Sequence, residues 1–204
     1  MLLGGSDVLV TAPSQPTWRA VVLIILEGVD LAGKTSIADR IGRHFVSTYS
    51  GRVIRLKAGQ PDPNVSALDE YEIGLYPYRE DILSKDTLVI CDRWHVGELI
   101  YGPLLRGYSR LTLPDFERIE AFLTSLGAYR IIVQPPNMST LIRRYNKRGD
   151  DLVSIEDIAM ISLWYDNFLR THANWFPMEN SAGEQEIARR VHWARASLIN
   201  VLQK

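Results

Sequence analysis

The sequence predicts an α/β protein: a five-stranded parallel sheet covered by helices on both faces, in three layers. Three observations point there. Short apolar runs alternate with stretches of helical period along the chain. Several of those runs are apolar throughout, as strands buried on both faces are. The first run leads through a glycine-rich turn directly into a helical pattern.

Taken in order, the apolar run Val21–Leu26 is the first strand, and Ile37, Ala38, Ile41 and Phe45 mark one face of the first helix. Arg52–Lys57 is a second strand, ended by the loop composition of Ala58–Pro63. Leu68–Leu83 has helical character, with Gly74 and Pro77 marking a break. Thr87–Cys91 is a short buried strand. Pro114–Leu126 reads as a helix, its proline in the first turn and Phe116, Ile119, Phe122, Leu123 and Leu126 on one side. Tyr129–Val133 is a strand stopped by Pro135 and Pro136, and Met138–Arg148 is helical. Ser154 to Asp157 forms a capping box that opens a helix through Leu169. Trp175–Met178 is the fifth strand, and Glu184–Leu202 closes the chain with Ile187, Val191, Ala194, Leu198 and Val201 on one stripe.

Composition narrows the function classes. The 204 residues suit one domain with a full core, and a net charge of −1 provides no global field for nucleic acid or membrane. A nucleic-acid partner is therefore disfavoured, and any anion binding must be local. Cys91 is the single cysteine, which rules out an intramolecular disulfide and a cysteine metal cluster. The longest apolar runs are strand-sized, too short for a bilayer. Residues 1–19, with Gly4, Gly5, Pro13 and Pro16, read as a flexible arm without the pattern of a signal peptide, and the expected compartment is the cytoplasm.

The strongest local signal is Gly28-Val29-Asp30-Leu31-Ala32-Gly33-Lys34-Thr35, a G-x-x-x-x-G-K-[ST] loop between strand and helix. Its glycines let backbone N–H groups turn inward on a phosphate, and the following helix N-terminus adds positive potential. The loop from Gly28 to Ser36 is thus a candidate cradle for ATP, with Lys34 on the terminal phosphates and Thr35 on Mg²⁺.

Ligands of such sheets sit beyond the carboxyl ends of the strands. The residues there are the phosphate loop after the first strand, Lys57 after the second, Asp92-Arg93-Trp94-His95 after the third, and Gln134-Pro135-Pro136 after the fourth. The helix beyond carries Arg143, Arg144, Lys147 and Arg148. Asp92 can hold Mg²⁺, and Arg93 can fork onto a second phosphate.

The set Leu26–Thr35, Cys91-Asp92-Arg93-Trp94 and Val133-Gln134-Pro135-Pro136, followed by an arginine-bearing helix, resembles thymidylate kinases and the wider nucleoside and nucleoside-monophosphate kinase group of P-loop proteins. The likeness runs from Val21 to about Arg170. It implies a P-loop kinase domain over residues 20–204 with a lid at about 143–153, and a homodimer joined through helices. It implies that Asp30 contacts the acceptor sugar, Arg93 holds the acceptor phosphate, Asp92 organises the metal, and Arg144 and Arg148 cover the transferring group. Arg143 and Lys147 form the competing lid face.

The acceptor is expected to be a nucleoside monophosphate, a pyrimidine such as dTMP. A neutral nucleoside needs a carboxylate base, whereas an anionic nucleophile needs cations. Arg55 and Lys57 supply cations after the second strand, although Arg55 can face away and Asp62 can serve as a base. Base recognition departs from the thymidylate kinase pattern. Arg79 matches the base-reading arginine, but Leu75 stands where an aromatic residue is expected, with Tyr71, Tyr76 and Tyr78 close by. Trp94, His95 and Tyr101 are further candidates for the acceptor pocket. A modified pyrimidine, another deoxynucleotide, a deoxynucleoside, or a nucleic-acid end or base are the competing acceptors. His44, His172 and His192 lack metal spacing, and Asn146–Asp150 is displaced from a guanine-reading motif.

Overall fold

The computed structural model describes residues 22–58, 62, 64–83, 87–148 and 153–192. The five strands are β1 (Val22–Glu27), β2 (Arg52–Lys57), β3 (Thr87–Asp92), β4 (Tyr129–Gln134) and β5 (Trp175–Glu179). They form one parallel sheet in the order β2-β3-β1-β4-β5. The helices are α1 (Lys34–Tyr49), α2 (Ala67–Ile73), α3 (Arg79–Leu83), α4 (His95–Arg106), α5 (Leu113–Ser125), α6 (Met138–Arg148) and α7 (Ile155–Thr171). Residues 184–192 are also helical. The chain has the three-layer α/β fold expected of it: a parallel sheet flanked by helices.

β1, β3 and β4 lie inside the sheet, and Leu23–Leu26, Leu88–Cys91 and Ile131–Val133 are buried without alternation. β2 is an edge strand and differs from that pattern: Arg52, Arg55 and Lys57 are exposed. β5 is the other edge, which accommodates Pro177 at a position where an interior strand would need an N–H donor. α1 packs its Ile37, Ala38, Ile41 and Phe45 face inward, on the side of β1, β2 and β3. Capping boxes form at α5, with Thr112 and Asp115, and at α7, with Ser154 and Asp157, each satisfying first-turn amides.

Two elements differ from the sequence expectation, α4 and the end of α7, whereas the break expected at Gly74 and Pro77 is present. The stretch 68–83 is two short helices with a 3-10 turn at Tyr76–Tyr78 between them, broken where Gly74 and Pro77 interrupt the helical ladder. α4 was hidden by Gly97, Gly102 and Pro103, residues that dilute a helical pattern. A Cβ at Gly102 would lie 2.9 Å from the ends of the Glu98 and Arg106 side chains, which would have to shift to admit it. α7 runs to Thr171, two residues past Leu169. The expected N-terminal arm 1–19, residues 149–152 of the expected lid, Trp193, and the expected helical positions Ala194, Leu198 and Val201 lie outside the described residues.

The first glycine of the phosphate loop is fixed by a close approach. Gly28 has φ +140, and a Cβ on it would sit 2.3 Å from the Val133 carbonyl oxygen of β4. Neither strand can move without breaking the sheet. Gly28→Ala is therefore expected to lose roughly 2–4 kcal/mol of stability, beyond the average substitution. Urea denaturation measures it; an unchanged midpoint would refute the close approach.

Candidate active site

β1 delivers the phosphate loop and β3 delivers the carboxylate–arginine pair to the same edge of the sheet. Their parallel register sets Leu26 opposite Asp92. Within the loop, Leu31 (φ +65) and Gly33 (φ +98) turn left-handed, and α1 begins at Lys34 with no side chain capping its first turn. Those first-turn amides carry the positive end of the helix dipole into the loop. The Lys34 ammonium donates to the carbonyls of Gly28 (2.8 Å) and Val29 (2.9 Å). Burial pushes its pKa down to about 8, with Asp92 and Glu27 opposing the shift.

Thr35 Oγ1 donates to Asp92 Oδ2 at 2.9 Å. Arg93 takes a left-handed backbone (φ +72), and its N–H donates to the Leu26 carbonyl at 2.8 Å. Its guanidinium pairs with the Asp30 carboxylate and lies 5.5 Å from the Tyr101 ring centroid. Tyr101 in turn accepts the Asp30 N–H on its hydroxyl at 2.9 Å. From α6, Arg144 donates to the carbonyls of Leu31 (2.7 Å) and Ala32 (3.1 Å), joining that helix to the loop.

These groups surround one cavity of about 560 Å³. It is lined by Asp30, Leu31, Gly33, Lys34, Thr35, Ser36, Lys57, Asp92, Arg93, Arg144 and Arg148, all of which the sequence singled out. Val29 and Ala32 are buried in the same loop. Lys147 also lines the cavity, so both expected lid faces contribute to it, whereas Arg143 is exposed and outside that lining.

Other expected acceptor contacts lie elsewhere. His95 is fully buried, its Nε2 2.8 Å from Glu120 Oε1 and its ring among Tyr71, Phe116 and Trp175. Burial lowers its pKa. His95 is thus corrected from a pocket residue to a core residue, because α4 turns it away from the cavity. Trp94 is also buried, donating from its indole to the Tyr71 carbonyl at 3.1 Å. Tyr76 packs edge-on against Phe122 at 5.8 Å, Arg79 is exposed, and neither lines the cavity. Tyr101 sits just behind it, through Asp30 and Arg93. Arg55 pairs with Asp39 in a separate surface groove. The Asp62 carboxylate accepts from Asn64 N–H at 2.9 Å, which holds it in its own turn.

Two residues escaped the sequence reading. Asn180 lines the cavity just after β5, beside Gly33. Reading the strand-end rule through to the fifth strand would have found it. Glu27 ends β1 fully buried, and the signal was a lone charge closing an apolar run. Burial pushes its pKa up to about 7, partly opposed by N–H donation from Gly97 and Trp94.

Thr35 and Asp92 together offer hydroxyl and carboxylate oxygens at the cavity wall, the donor chemistry a hard Mg²⁺ ion takes. Among the described residues, no group of three or more His, Cys, Asp or Glu side chains is placed to hold a metal, so such an ion would take its other ligands from water and phosphate. Also among the described residues, no helix is long and apolar enough to cross a membrane.

No protein-family model matches the chain, and no curated protein matches it. Solved structures do. The YorR protein of Bacillus subtilis, in complex with phosphorylated GDP, superimposes with a TM-score of 0.58 at 22% identity, over 84% of this chain and 94% of that one. Deoxyadenosine kinase from M. mycoides, with the products dCMP and dCDP, gives a TM-score of 0.42 at 16% identity, over 87% and 98% of the two chains. At this identity the likeness to the YorR structure is one of fold: a parallel sheet flanked by helices, here carrying a G-x-x-x-x-G-K-T loop between β1 and α1.

Glu27 has a measurable signature. Below its ordinary pKa of 4.5 it is neutral folded or unfolded; above, the folded state keeps a proton the unfolded state has lost, up to about pH 7. Stability therefore falls as pH rises through that window. Between pH 5 and 8 the wild type is expected to lose roughly 2–3 kcal/mol relative to Glu27→Gln, which cannot titrate. Denaturant titrations at both pH values measure the difference; parallel behaviour of the two proteins would contradict it.

Proposed function

We propose that this chain is an ATP-dependent, Mg²⁺-assisted phosphotransferase whose acceptor is a (deoxy)nucleoside monophosphate, with a pyrimidine such as dTMP as the preferred base. The observation that carries the reading is one cavity holding Lys34, Arg93, Arg144, Lys147 and Arg148 beside Thr35 and Asp92. Phosphoryl transfer asks little covalent chemistry of a protein. It asks that two anionic groups be held in line while their repulsion is offset.

Each residue has a part in that task. Lys34 exchanges its two carbonyl partners for phosphate oxygens of the donor, while the α1 amides hold the same phosphates. Thr35 and Asp92 would hold Mg²⁺, which when bound neutralises charge on the transferring phosphates. Arg93 turns from Asp30 to the acceptor phosphate, leaving the Asp30 carboxylate for a sugar hydroxyl. Arg144 and Arg148 close from α6 over the group in transit. The nearby carboxylates favour an acceptor that already carries charge. Asp92 and Asp62 are held by Thr35 and Asn64, Glu27 is fully buried outside the cavity lining, and Asp30, once Arg93 leaves it, is taken up by the sugar hydroxyl. A neutral hydroxyl would need one of them free as a base. The likeness to a structure holding a phosphorylated nucleotide is consistent with this ligand class.

The test is an ADP-release assay over deoxynucleosides, their monophosphates and short oligonucleotides. Turnover is expected with monophosphates, and Lys34→Ala and Arg93→Ala each lose at least ~100-fold, the scale of one preorganised charge contact. Turnover with nucleosides alone or oligonucleotides alone, or near-normal rates in either variant, would overturn the reading.

A further inference from the structure

Glu27 takes no part in the mechanism above, yet it is fully buried at the junction of the two motifs that build the site. Its Oε1 accepts the N–H of Trp94 at 2.7 Å and the N–H of Gly97 at 3.1 Å. Its Oε2 accepts the Tyr165 hydroxyl at 3.2 Å. The two amides matter by their place in the chain. Trp94 is the N-cap of α4 and caps no amide with its own side chain, and Gly97 is the third residue of that helix. A cap residue usually supplies an oxygen to an amide in the first turn. Here Glu27 supplies it from β1, 70 residues earlier in the chain, where the helix dipole favours a negative charge.

This cap reaches Arg93, the residue just before it. Arg93 holds a left-handed backbone, a conformation that persists in a side-chain-bearing residue only when its surroundings enforce it. Two bonds from the end of β1 enforce it: Leu26 accepts the Arg93 N–H, and Glu27 accepts the Trp94 N–H. Neither Glu27 oxygen faces the cavity, and Tyr165 anchors the second one to α7.

We propose that Glu27 is a positioning residue that aims Arg93 at the acceptor phosphate by capping α4 from the end of β1. The proposal rests on the reading of the cavity as a nucleotide kinase site. It separates Glu27 from the other role a carboxylate here could have, that of a general base.

Glutamine keeps an oxygen for both amides and an NH₂ for the Tyr165 hydroxyl; alanine keeps neither. Glu27→Ala is expected to raise KM for the acceptor monophosphate about tenfold or more while KM for ATP stays within about twofold, the pattern of a misaimed acceptor contact. Glu27→Gln is expected to restore both values and to leave the pH dependence of kcat unchanged. Equal loss in the two variants, with the acid limb of the kcat profile gone, would make Glu27 a base and overturn the proposal. Equal rises in both KM values, or no change in Glu27→Ala, would overturn it as well. Hydrogen exchange at the Trp94 and Gly97 amides keeps the two readings apart. Should the wild type phosphorylate no nucleotide, the kinase reading fails, and exchange about tenfold faster in Glu27→Ala than in Glu27→Gln still supports the cap. Equal exchange overturns it. Should Glu27→Ala not fold, Glu27→Gln decides alone: retained turnover with wild-type exchange at both amides supports the cap, and lost turnover or faster exchange refutes it.

Discussion

The parallel pairing of β1 with β3 is the constraint on which the site depends. Register alone places Leu26 against Asp92 and so puts the phosphate loop beside the Asp92-Arg93 turn. A parallel pair needs a crossover, and here it passes through α1, β2 and the α2–α3 segment before returning as β3. Two motifs nearly sixty residues apart are thereby held within one hydrogen bond of each other, as Thr35 and Asp92 are. A slip of one residue would turn every β3 side chain to the other face and dismantle the pair.

The same edge concentrates charge that a buried strand end resists. Lys34 and Glu27 are both pulled toward neutrality by burial, and each is partly restored by the other. Around them, polar groups are paired within the protein: Lys34 with loop carbonyls, Arg93 with Asp30, Arg144 with the loop, Thr35 with Asp92. Each of those partners can be exchanged for a phosphate or a metal ligand without leaving a buried charge alone. On the proposed reading, the cradle is held in shape by contacts that substrates would replace.

Much of this was legible in the sequence because the signals are local. A glycine loop between an apolar run and a helix needs no tertiary information, and neither do the strand-end positions of Lys57, Asp92 and Arg93. The cationic helix α6 was visible in Arg144 and Arg148, although spacing alone could not separate them from Arg143 and Lys147. That choice depends on how α6 is rotated against the loop. What the sequence concealed was non-local. α4 carries two glycines and a proline, and its first turn is stabilised by Glu27 from another element. Without that helix, His95 reads as a residue beyond a strand end and so as a pocket residue. With it, the ring is turned into the core against Glu120. Asn180 depended on a fifth strand that ends at the sheet edge and contains a proline, a weak signal taken alone.

The central claim is that Lys34 and Arg93 act on one continuous run of negative charge. A dinucleotide joining adenosine to thymidine through five phosphates offers both ends of that run in a single molecule. Titration calorimetry should find it bound at least ~100-fold more tightly than ATP, the gain expected when a second contact becomes intramolecular. Lys34→Ala and Arg93→Ala should each weaken it. Binding no tighter than ATP, or an affinity indifferent to Arg93, would contradict the account.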